Sequence, residues 1–206
     1  MTLMQKFLGA AATLALTSGA ALADPAIIYD LGGKFDKSFN EAAFAGAERW
    51  KAETGGTYKE LEFAIIDMVV DQPNVKSVVF TEEQGSYLVG MMAAMASKTG
   101  TVGFVGGMDI PLIRKFACGY AQGVKAANPD ATIVVNMTGT TPSAWNDPVK
   151  GAELAKAQKS QGADVIYAAA GGTGIGVLQA AADEGILSIG VDSNQNYLHP
   201  GQVLTS

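Results

Sequence analysis

Apolar and polar positions along this chain switch between two periods, and the switches lay out its elements. Ala26 to Tyr29 is a short apolar run that ends in Asp30, and Gly32-Gly33 turns the chain. Ser38 to Thr54 has helical spacing, with Phe39, Ala42, Ala43, Ala47 and Trp50 on one stripe. Ser38 with Glu41 three residues later reads as a capping box, and Gly55-Gly56 as the stop. Tyr58 to Glu62 alternates as a half-buried strand. Phe63 to Asp67, followed by Met68-Val69-Val70, reads as a fully buried one. No turn residue separates the two. Parallel neighbours need a crossover of roughly a dozen residues, so this is either one long strand or the scar of a missing unit near 62/63.

Val75 to Phe80 is the next strand, after Gln72-Pro73-Asn74. Glu82 to Ser97 is a helix whose Met91, Met92 and Met95 read as core. Thr101 to Val105 is a strand running into Gly106-Gly107-Met108-Asp109. Pro111 to Ala127 is a helix with proline near its start, closed by Asn128-Pro129-Asp130. Thr132 to Asn136 (strand), Asp147 to Ser160 (helix) and Ala163 to Ala169 (strand) follow. Gly171 to Gly176 reads as a glycine loop, Val177 to Asp183 as a helix, and Leu187 to Val191 as a strand ending in Asp192. Strand and helix alternate throughout, which predicts an α/β fold with parallel sheets. No helix follows the last strand, so the pattern reads as a sheet cut short.

The length of 206 residues allows one medium domain or two small lobes. A net charge of −6 without a basic stretch argues against a nucleic-acid partner. Lys6, the apolar run Phe7 to Ala21 and the small-x-small pattern Ala21-Leu22-Ala23 read as a signal peptide over residues 1–23, cleaved after Ala23. A transmembrane anchor is the alternative, but Thr17, Ser18 and Gly19 interrupt the run and it is short for a span. Cys118 is the one cysteine, so no intramolecular disulfide can form. An exported chain held by its core alone fits the bacterial periplasm.

Covalent chemistry finds little support. His199 sits beside Pro200-Gly201 with no Cys or His near it, and there is no G-x-S-x-G elbow. Cys118 lies mid-helix among Phe116, Ala117 and Tyr120 and reads as buried and inert. The run Gly171-Gly172-Thr173-Gly174-Ile175-Gly176, with Asp192 ending the next strand, is similar to a dinucleotide fingerprint. Val177 stands where the third glycine belongs. A Rossmann-like enzyme using NAD or a nucleotide is therefore the alternative rather than the reading, and no cofactor is called for. Asp30, Asp67, Asp109 and Asp192 each end an inferred strand. In an open α/β sheet that is the ligand edge. A carboxylate accepts a pair of vicinal hydroxyls, so the set suits a polyol. The alternative for each is a cap or turn residue.

The motifs Asp30-Leu31-Gly32-Gly33, Asp36-Lys37-Ser38-Phe39-Asn40, Gly106-Gly107-Met108-Asp109-Ile110-Pro111, Ala170-Gly171-Gly172-Thr173-Gly174 and Gly190-Val191-Asp192-Ser193-Asn194-Gln195 occur in that order. Together they resemble the basic membrane protein family, the substrate-binding proteins of ABC transporters that are similar to purine nucleoside receptors. The resemblance covers essentially the whole mature chain. It implies a type I periplasmic-binding-protein-like fold of two parallel-sheet Rossmann-like lobes, here 24–128 and 129–206, closing on a nucleoside or related sugar. It implies a monomer that serves an inner-membrane ABC permease; a ligand sensor partnering a membrane receptor is an alternative that the same cleft would serve. Phe39 and Trp145 match the two rings that sandwich the base. Asn40 belongs to the same motif as Phe39, Asp30 matches a base-edge contact, and Asp67 and Asp192 match ribose acceptors. Gly172 offers a backbone group, and Asp109 sits in a conspicuous motif near the lobe junction. The family carries a helix–strand–helix unit near 62/63 and a continuation past Ser206, including a ligand-contacting lysine. Neither is in this sequence, so both lobes read as incomplete and binding is expected to be weak or absent.

Overall fold

Two parallel sheets carry the fold. The computed structural model describes residues 27, 34–58, 64–69 and 76–206. In chain order its elements are α1 (Phe39–Thr54), β1 (Ala64–Ile66), β2 (Lys76–Val78), α2 (Glu82–Ala96), β3 (Thr101–Met108), α3 (Pro111–Ala127), β4 (Thr132–Gly139), a 3-10 turn (Pro142–Trp145), α4 (Pro148–Ser160), β5 (Val165–Ala169), α5 (Gly172–Asp183) and β6 (Leu187–Ile189). The leader, Asp30 and residues 59–63 lie outside the described residues, so the expected first strand and the 62/63 junction do too.

The larger sheet runs β4-β3-β5-β6 and the smaller pairs β1 with β2, all in parallel. Residues 102–107 of β3 and all of β5 are buried, as parallel strands covered on both faces must be. Side chains alternate between two cores. Val102, Phe104, Val165 and Tyr167 pack with Ala93 of α2 and with Ile113, Tyr120 and Val124 of α3. Val105, Ile166 and Ala168 pack with Ala155 of α4 and with Val177 and Leu178 of α5. Because β3 and β4 pair from Thr101↔Thr132 to Met108↔Gly139, the lobe boundary expected after Asn128 falls between two strands of one sheet. The chain does not divide there.

Each helix pair closes through glycines. A Cβ on Gly90 would overlap the Tyr120 carbonyl, one on Gly119 that of Glu83, and one on Gly123 that of Tyr87, which brings α2 and α3 into backbone contact. Gly151 and Gly176 do the same for α4 and α5, against the carbonyls of Thr173 and Pro148. This corrects the expected glycine loop: α5 begins at Gly172, and Gly174 and Gly176 are buried helical positions. Glycine is costly in a helix by about 1 kcal/mol, but here the missing side chain is what lets the helices meet. Close approach also explains the methionines. The buried residues of α2 are Glu82, Ser86, Gly90, Ala93 and Ala94, and Met92 and Met95 point to solvent rather than into the core. Cys118 is likewise exposed rather than buried, on the outer side of α3.

Candidate functional site

The start of α1 is built differently from the expected capping box. Asp36, not Ser38, caps the helix: its Oδ1 accepts from the Ser38 and Glu41 amides at 2.9 and 3.2 Å, and its Oδ2 from the Asn40 amide at 3.3 Å. Ser38 is thereby released for a distant partner, donating from Oγ to Asp192 Oδ2 at 3.1 Å. The Lys37 carbonyl accepts from Ser193 Oγ at 3.0 Å and Gln195 Nε2 at 2.8 Å. Four side chains thus pin the first helix to the segment after β6, and Phe39, next in sequence, lines a cavity with Asp192. The half-buried stripe of α1 (Phe39, Ala42, Ala43) lines a cavity instead of a packed core.

Trp145 is positioned from the opposite side. Thr138 and Thr173 both donate to the Ala144 carbonyl, at 3.0 and 2.8 Å, and Thr173 Oγ1 also accepts the Asp147 amide at 2.7 Å. The indole lies where a Cβ on Gly107 would be, and 3.6 Å from one on Gly171. Gly171 takes φ +54°, a conformation that favours glycine. Gly107 near the end of β3 and Gly171 after β5 therefore clear room for an aromatic ring.

Phe39 and Trp145 line one pocket of ≈ 260 Å³ with Phe116, Ile113, Asp67 and Asp192. Phe39, Asp67, Phe116 and Asp192 also line a neighbouring cavity of ≈ 550 Å³, whose further wall includes Glu82, Ser86 and Tyr167. The larger volume lies in the range of about 300–1,000 Å³ usual for small-molecule sites. Both compartments have aromatic walls and share the two acids, and the larger one adds Glu82 and Ser86.

Asp67 and Asp192 sit at the junction, both in the left-handed region with φ of 63° and 67°. Burial first and the nearby Glu82 charge second, opposed by Lys115, together push the Asp67 carboxyl up to about 6. Its Oδ1 is buried without a hydrogen bond. A carboxyl raised in the folded state adds stability at low pH and loses it as pH rises through about 6. Asp67→Asn removes that loss, and asparagine tolerates the left-handed backbone. We expect Asp67→Asn to stabilise the chain by about 1 kcal/mol at pH 8, after solvent screening, and hardly at pH 4. Urea unfolding at the two pH values reads the difference.

The remaining expected contacts fall elsewhere. Asp109 is held off both pockets by Arg114, whose Nε and Nη2 donate at 2.7 and 3.0 Å and keep the carboxyl below its ordinary range. Asn40 is buried and lines neither pocket, and Gly171 rather than Gly172 reaches the aromatic one. Phe116, Tyr167, Glu82 and Ser86 were not foreseen. Helical spacing from Ile113 could have pointed to Phe116.

Residues 52–206 match the family described as ABC transporter substrate-binding protein, PnrA-like. The chain belongs to this PnrA-like family. A curated relative, the ABC transporter nucleoside-binding protein BmpA of Lactococcus lactis subsp. cremoris, is 31% identical over 242 aligned residues, covering 88% of this chain and 68% of its own. Because 88% of 206 is about 181, about 61 of those 242 aligned positions face gaps in this chain. Basic membrane protein A2 of Borrelia garinii subsp. bavariensis is 37% identical over 153 residues, 71% of this chain and 44% of its own. The chain thus spans less than half the length of that PnrA-like relative. Among solved structures, an ABC transporter solute-binding protein from Aeropyrum pernix K1 superposes with TM-score 0.76 at 26% identity, over 88% of this chain and 65% of that one. A Burkholderia multivorans solute-binding protein shares the fold with TM-score 0.60 at 15% identity. The fold is therefore type I periplasmic-binding-protein-like, in a family of substrate-binding proteins and not of enzymes. No described helix is long and apolar enough to cross a membrane.

Proposed function

We propose that this chain binds a purine nucleoside, weakly, with the base between Phe39 and Trp145 and the ribose toward Asp67 and Asp192. The observation that carries this reading is the pocket that Phe39 and Trp145 line together with Asp67 and Asp192, two acids that also line the larger cavity. Stacking a base on an aromatic ring is worth about 1–3 kcal/mol, and carboxylates accept vicinal hydroxyls. The Lactococcus relative, a nucleoside-binding protein by name, supports the ligand class.

Export through the leader, cleaved after Ala23, places the mature monomer in the periplasm. There it hands its ligand to an inner-membrane permease. The pinning of α1 to the segment after β6 is the contact that a hinge-type closure would tighten. Thermal unfolding against a panel of nucleosides and free sugars, at micromolar and millimolar ligand, tests the reading. A rise in midpoint with a purine nucleoside supports it. A rise with a free sugar and with no nucleoside overturns it.

A further inference from the structure

Glu82 opens α2, where the helix dipole favours an acid, and that alone would explain it at the surface. Its side chain is only 4% exposed, however. Both carboxylate oxygens are buried without a hydrogen bond. Lys115 Nζ approaches Oε2 to 3.6 Å from a side chain that is half exposed, too far for a hydrogen bond. The contrast lies on α3, one residue before Lys115: Arg114 holds Asp109 at 2.7 and 3.0 Å. A pair formed for stability takes that short geometry, and Glu82 does not. A buried carboxylate with open acceptor sites carries a desolvation cost that a donor must offset.

The side chain lines the larger cavity, where Asp67, Ser86, Tyr167 and Asp192 share the wall. Ser86 follows one helical turn on, so both face the same space. Acids at Asp67, Glu82 and Asp192 disfavour an anionic group there and favour neutral hydroxyl donors.

We propose that Glu82, flanked by Ser86, is a ligand contact that accepts a hydrogen bond from one ribose hydroxyl in the compartment adjoining the aromatic pocket. This rests on the nucleoside reading above. The amide oxygen of Glu82→Gln still accepts, so that change removes only the charge-assisted part of the hydrogen bond, and the penalty for deleting the hydroxyl shrinks by that part in the variant.

The test is calorimetry of the full chain with adenosine and its 2′-, 3′- and 5′-deoxy forms, on wild type and Glu82→Gln. The expected result is an affinity for adenosine lowered about tenfold in Glu82→Gln, and one deoxy form whose penalty shrinks in that variant. An equal loss across all four ligands, or no loss, overturns the assignment. Should Glu82→Gln fail to fold, Ser86→Ala is carried through the same cycle, and additivity there overturns it. Wild type that binds none of the four overturns the nucleoside reading and this contact together. Wild type that binds all four without coupling overturns this contact alone.

Discussion

Gly176→Ala lowers the unfolding free energy of the chain by about 2 kcal/mol, whereas Gly46→Ala raises it by about 0.5–1 kcal/mol. The same change has opposite signs because of what the new methyl meets. Alanine is the better helix former by about 1 kcal/mol. At Gly46 of α1 nothing lies within 4 Å of the added Cβ, so propensity decides. At Gly176 the Cβ would overlap the Pro148 carbonyl oxygen. Backbone at the start of α4 cannot rotate aside as a side chain would, and overpacking of this kind costs typically 1–3 kcal/mol or more. The strain outweighs propensity and propagates to Gly171 and Thr173, which hold Trp145. Urea unfolding of both variants measures the pair. Gly176→Ala as stable as wild type would restore the glycine-loop reading of Gly171 to Gly176 and contradict the packed α4–α5 pair.

Trp145→Ala weakens nucleoside binding about tenfold to a hundredfold, the loss of one stacked ring. Trp145→Phe, keeping a smaller aromatic face, loses less. Because the indole also fills the space over Gly107 and Gly171, truncation destabilises the fold as well. The affinity ratio is therefore read at a temperature where both variants are folded. Gly107→Ala gives an independent arm: its methyl collides with the indole and displaces the ring without removing it, so affinity falls in the same direction. An unchanged affinity in Trp145→Ala would remove this residue from the site.

Much of this was legible before any coordinates. α3 runs from Pro111 to Ala127 as expected because its ends carry backbone signals: proline at the first turn and Asn-Pro after the last. Phe39, Asp67, Trp145 and Asp192 come together on two adjoining pockets because residues at strand ends and helix starts share one edge of an α/β sheet. The misses have one physical origin: local signals report on backbone preference, not on what packs against it. Glycines 172 to 176 look like a loop by propensity, and only the approach of α4 makes them helical. Met92 and Met95 look like core by hydropathy, and only the glycine-mediated contact of α2 with α3 turns them outward. Ser38 has the right type and spacing for a cap, but Asp36 two residues earlier takes the amides first. Asp109 ends its strand as the others do, yet Arg114 on the next helix claims it. Glu82 was invisible for the opposite reason, because an acid at a helix start satisfies every local rule.

The central claim, a base held against Trp145, is tested most directly by indole fluorescence. Trp50 lies on the exposed end of α1, so Trp50→Phe leaves Trp145 as the one indole reporter. Titrating that variant with adenosine or inosine, with correction for absorbance, is predicted to give saturable quenching that free ribose at equal concentration does not produce. Ribose quenching Trp145 while neither nucleoside does, or no response to any of the three, would contradict the account.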